Sequence, residues 1–161
     1  MLDPDGNVLP AVHEVLDLAA EHGAIVTGGH LAAEVIDVLF AAARRHGVER
    51  LLVNHPQYIV GATPEHCRSW ARTGVVIEHS VGMYHDSFGR KPARYPLSDL
   101  LAYIEAAGPG ASALVSDTGM SGYLRPVDTI RAIASIVFRN GRAPELVRAL
   151  VGGNAAVLLA R

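Results

Sequence analysis

The chain has 161 residues, about half of them hydrophobic, with 14 basic side chains against 16 acidic ones and a formal charge of −2. That length suits one domain, and a chain of this size buries roughly 70% of the surface its unfolded form exposes. The near-neutral charge, free of like-charged blocks, excludes the basic footprint of a nucleic-acid binder, and the single cysteine, Cys67, excludes an internal disulfide framework.

A lone cysteine also fits a reducing compartment, so a cytoplasmic protein is expected. The opening MLDPDGNVLP lacks the charged and apolar regions of a signal peptide, and no window approaches the ~20 apolar residues that span a bilayer. The expected partner is a small molecule, with no membrane involved.

In chain order, a turn at Asp3 to Asn7 precedes Pro10, which stands where a first helical turn tolerates proline. The helix that follows carries Val12, Val15, Leu16 and Leu18 and stops at Gly23. Ala24 to Thr27 reads as a buried strand. From Leu31 the apolar positions Val35, Ile36, Leu39 and Phe40 recur at helical spacing up to Gly47, with Arg44 and Arg45 suiting the negative end of the helix dipole. A strand over Leu51 to Val53 and a loop through Pro56 and Gly61 lead to a helix opened by Thr63 as cap, Pro64 and Glu65, and ended by Gly74.

The strand Val75 to Ile77 is followed by an irregular stretch, Ser80 to Tyr95, containing Arg90, Lys91 and Arg94. Connections longer than ~12 residues are more often functional than plain linkers, so this stretch is expected on the substrate side. A helix from Leu97 to Ala107, a strand from Ala113 to Val115 and a helix from Val127 to Asn140 come next. Two short helical stretches, Pro144 to Leu150 and Asn154 to Ala160, complete the chain. The rhythm is α/β: a leading helix and then four right-handed βα units with parallel strands.

Each of the four strands runs into a potential metal ligand or general base: AIVTGGH at His30, LLVNH at His55, VVIEH at Glu78 and His79, and ALVSD at Asp117. Parallel strands point one way, so their C-terminal ends share a rim, where the active sites of such folds lie. His30, His55 and Asp117 make a ligand set suited to zinc, or to manganese or iron. Asp117 could alternatively stand beside the ion as the base that takes a proton from bound water. Successive strand residues face opposite sides, so Glu78 and His79 cannot both point inward; either could serve as a further ligand or contact substrate, as could Arg90 from its loop. The remaining histidines, His13, His22, His46, His66 and His85, read as surface residues. The glycines of TGG (Thr27 to Gly29) read as a tight turn, SDTGMSG (Ser116 to Gly122) as a strand-end loop, Cys67 as lying on a helix face and Trp70 as core.

The ordered set TGGH, VNHP, IEH, SDTG and the closing GNAAVLLA resembles the C-terminal half of the amidohydrolase superfamily, and within it the metal-dependent hydrolases similar to phosphotriesterases. The resemblance implies four of the eight units of a (β/α)8 barrel, His30 and His55 as metal ligands, Asp117 as ligand or catalytic base, and Asn154 opening the final helix. It implies water activated on a divalent ion to attack an ester, amide or phosphoester. The sequence departs from that family in three ways. It has no HxH pair, its one lysine, Lys91, stands in a loop, and Ala155 occupies the usual proline position of the closing motif. A half-barrel has two unpaired sheet edges. The expectation is therefore either a weakly active or truncated hydrolase, or a non-catalytic half-barrel that self-associates into a homo-oligomer or joins a partner supplying the other half. A doubly wound small-molecule binding domain is a third possibility.

Overall fold

The computed structural model describes residues 1–84 and 94–160. After a small antiparallel bridge between Leu2 and Val8, helix α1 (Pro10–Glu21) leads to β1 (Ile25–Thr27), α2 (Ala33–Arg45), β2 (Arg50–Asn54), α3 (Pro64–Arg72) and β3 (Val76–Ser80). A single 3₁₀ turn, Val81–Met83, follows. Beyond it come α4 (Leu97–Ala107), β4 (Ser112–Val115), α5 (Pro126–Arg139), α6 (Pro144–Arg148) and α7 (Asn154–Ala160). The last two helices are joined by a π-helical turn over Ala149–Gly153, where Gly152 and Gly153 loosen the coil without ending it.

The four strands form one parallel sheet in the order β1-β2-β3-β4, alternating with helices, so the fold is α/β and half-barrel-like. The chain signals for α3 are realised in full. The Thr63 hydroxyl accepts from the His66 backbone N–H, and the His66 Nδ1 in turn accepts from the Thr63 N–H, a reciprocal cap ahead of Pro64. His66 is thus engaged in the cap rather than being a free surface residue. Arg44 reaches beyond its own helix end to donate to the carbonyls of Val48, Glu49 and Thr73, fastening two loops at the N-terminal end of the sheet.

Alternation along the strands decides which face meets the helices. Leu51 and Val53 of β2, Val75 just before β3 and Ile77 within it pack with Ile36, Phe40, Cys67 and Trp70 into one core cluster. A second cluster joins Leu114 of β4 to Leu100, Ile104, Ile133 and Val137. Trp70 is core as expected and donates its indole N–H to Asp37 at 2.6 Å. Cys67 lies on α3 but on its inward face, fully buried, and burial pushes its thiol up to about 12. The opposite face of the sheet carries Leu52, Asn54, Val76 and Glu78, all half-buried. Near its N-terminal end α7 crosses this face, where Arg50 donates to the carbonyls of Leu158 and Leu159, and Asn154, the first residue of α7, donates to those of Pro109 and Ser112. Among the described residues no helix is long and apolar enough to cross a membrane.

Candidate functional site at the C-terminal rim

Thr27, Asn54, Ser80 and Val115 end their strands on one rim, and the residues just beyond them carry the chemistry. After β1 the chain must turn at once. Gly29 adopts φ +54°, and a Cβ on Gly28 would stand 2.6 Å from Ile36 Cδ1, so the two glycines let the backbone pass close to α2 before delivering His30. After β2, His55 itself takes φ +27° and Ile59 takes φ +63°, both outside the regions comfortable for side chains with a Cβ. Such positions cost on the order of 1–3 kcal/mol each, and they cluster where surrounding structure enforces a functional geometry. Here the enforcing bonds run from Ala62 N–H to the Pro56 carbonyl, from Tyr103 Oη to the Ala62 carbonyl and from Ala33 N–H to the Val60 carbonyl.

These two turns bring His30 and His55 together. Their Nε2 atoms lie 3.0 Å apart and their ring centroids 4.8 Å apart. The other nitrogen of His55, Nδ1, is 3.2 Å from the Tyr58 carbonyl, which only accepts, so Nδ1 carries the proton. A neutral His55 then presents an Nε2 lone pair toward His30. A backbone carbonyl that fixes the tautomer in this way is the usual outer partner of a metal-binding imidazole.

Glu78 is on the open face of the sheet, paired in register with Asn54, whose amide donates to Glu78 Oε1 at 3.2 Å. It is thereby held beside the β2 end that carries His55. His79 faces the other way. It is fully buried between the sheet and the helices, its Nε2 is 3.2 Å from Ser112 Oγ, and its Nδ1 has no partner among the described residues. Burial pushes its pKa down to about 3, so it is a neutral core imidazole. The expectation that His79 contacts substrate is corrected: helices packing on its side of β3 took it out of reach of the rim.

Asp117 is exposed on the rim two residues past β4, in the left-handed region at φ +52°. Its loop is anchored by Gly82 N–H donating to the Ser116 carbonyl and by the buried contact between the Thr118 and Thr129 hydroxyls. Asp117 does not join the imidazole pair: among the described residues no three His, Cys, Asp or Glu side chains are placed to hold one ion. The strand order explains this. Neighbouring strands lie about 4.8 Å apart, so three intervals put the ends of β1 and β4 roughly 14 Å apart along the sheet. Arg90, with Lys91 and His85, lies outside the described residues.

Sequence reasoning missed Tyr58 and gave Arg94 no role of its own. The Arg94 guanidinium lies 4.5 Å from the Tyr58 ring centroid, and that ring meets His55 edge-on at 5.8 Å, so a cation stands one aromatic ring away from the imidazole pair. The signal was present in HPQY, where Tyr58 follows His55 by three residues, but only the turn showed that they touch. A groove lined by Glu49, Arg50, Val76, Asn154 and Val157 lies beneath α7 at the opposite end of the sheet, away from this chemistry.

Comparison with known proteins adds little to this geometry. No curated protein and no solved structure matches the chain. Residues 1–78 match the model of a family of unknown function (DUF6282), a span that runs from the bridge before α1 to Glu78 and so includes His30 and His55 but not Asp117.

Proposed function

We propose that the protein is a metal-dependent hydrolase of the amidohydrolase type, with His30 and His55 holding a divalent cation at the C-terminal rim, while Asp117, three strands from His30, stands too far from that ion to serve as its base. One observation carries this reading, the 3.0 Å separation of two Nε2 atoms on adjacent strand ends. Metal–imidazole bonds of ~2.0–2.1 Å with the two nitrogens at about 90° put them roughly 2.9 Å apart, and a tetrahedral angle puts them roughly 3.4 Å apart. The pair therefore fits one ion with little movement, and manganese or iron in octahedral geometry fits at least as well as zinc. Such an ion lowers the pKa of bound water toward ~7, which is the chemistry hydrolysis of an ester, amide or phosphoester requires. In this reading His55 orients through its Nδ1–H, Glu78 offers a carboxylate at the next strand end, and Tyr58 with Arg94 faces a substrate of anionic character.

A second reading, a half-barrel completed by another copy or another protein, draws on the sheet edges. Among the described residues β1 pairs only with β2 and β4 only with β3, and the face bearing Leu52, Asn54, Val76 and Glu78 is half-open. Four strands are half of an eight-stranded barrel. A partner closing it would also bring further ligands to a site that has two.

Metal content after dialysis against zinc or manganese tests the first reading, alongside hydrolysis of nitrophenyl esters and phosphoesters. The wild type should retain metal and activity, and His30→Ala and His55→Ala should each lose one equivalent of metal and the activity. A wild type that binds neither ion ends the hydrolase proposal. For the second reading, light scattering should give a mass above one chain; a strictly monomeric species counts against it.

A further inference from the structure

A second imidazole pair lies outside the rim, where α1 meets the end of α2. His13 Nδ1 and His46 Nε2 are 2.8 Å apart, with ring centroids 5.0 Å apart and planes tilted by 36°. The remaining nitrogen of His46, Nδ1, is 2.6 Å from Asp17 Oδ1. Both residues are half-buried, which corrects their reading as plain surface histidines. His13 and Asp17 are four apart on α1 and so project from one side of that helix to clasp His46, the residue that caps α2.

We infer that His13 and His46 form a second divalent-metal site, built for a late first-row cation such as copper(II) or nickel(II), with Asp17 as its outer orienting carboxylate. An ionised carboxylate only accepts, so His46 Nδ1 carries a proton, and a neutral His46 presents its Nε2 lone pair to His13. That is the carboxylate–histidine–metal arrangement. His13 joins it by moving its proton from Nδ1 to Nε2, a change of tautomer that releases none. The 2.8 Å separation corresponds to a nitrogen–metal–nitrogen angle of about 90°, the angle of tetragonal ions and well below the tetrahedral value. No third His, Cys, Asp or Glu among the described residues completes the shell, so water does. The ion would tie α1, whose one fully buried side chain is Leu16, to the body of the fold.

The site is independent of the rim pair, and the test separates them. Copper(II) is titrated into the His30→Ala/His55→Ala chain and followed by electron paramagnetic resonance. One copper per chain with coupling to two imidazole nitrogens is expected. His13→Ala or His46→Ala should leave one coupled nitrogen and weaken binding at least tenfold. Asp17→Ala should weaken it by about 10–100-fold with both nitrogens retained, while His22→Ala, on an exposed neighbour, should change nothing. Should the double background fail to fold, the wild-type chain is titrated, and His13→Ala must lower its copper stoichiometry by one. Copper binding insensitive to His13 and His46, or no binding by a folded chain, overturns the site.

Discussion

Burial of His79 makes stability fall with acid in a way that one substitution should abolish. Its imidazole has a pKa near 6.5 when unfolded and about 3 in the fold, because the charged form has no water behind the sheet. The unfolded chain therefore binds a proton that the folded chain refuses. The full stability is present above pH 6.5 and is lost as pH falls toward 3. Each unit is worth about 1.36 kcal/mol, so between pH 7 and pH 4.5 this residue should remove roughly 2–3 kcal/mol, a large part of the ~5–15 kcal/mol that holds a domain. Urea unfolding of the wild type, His79→Leu and His79→Gln at several pH values between 7 and 4.5 measures it. Leucine matches the apolar neighbour Leu114 and leaves Ser112 without its partner, so its stability at pH 7 shifts by about 1 kcal/mol in either direction. Its dependence on pH should be flatter by that same amount, about 2–3 kcal/mol. Three parallel curves would refute the reasoning, since the three chains differ only at position 79.

Three further outcomes are expected. Cys67, buried and with its thiol pushed up to about 12, should resist alkylation in the native chain and react fully only once urea unfolds it; rapid native labelling would contradict its burial. Gly82→Ala should cost about 1–3 kcal/mol in urea unfolding, because the new Cβ would meet the Ser116 carbonyl oxygen and Thr118 Cγ2 at 2.8 Å, and an unchanged midpoint would show that the strand-end loops can part. At Asp117, with φ +52°, Gly should be tolerated in urea unfolding and Val should cost roughly 1–2 kcal/mol; equal midpoints for the two variants would show that the turn can leave the left-handed region.

Much of the architecture was legible because local rules decide it. Thr63, Pro64 and Glu65 announce the start of α3, Gly47 and Gly74 the ends of α2 and α3, and short β-branched runs between helical periodicities leave a parallel α/β order as the natural reading. The meeting of His30 and His55 was legible as well, since adjacent parallel strands must deliver their C-terminal residues side by side. What sequence could not decide was set by packing between distant segments. Alternation says that Glu78 and His79 part company, but only the arrival of helices on one face of β3 sends the imidazole into the core and leaves the carboxylate on the open side. The clasp of His46 by His13 and Asp17 spans 33 positions, and no local periodicity encodes it. Asp117 stands apart from the imidazoles because the sheet order puts β4 three strands from β1, a distance that the rhythm of βα units leaves undetermined until the sheet is built.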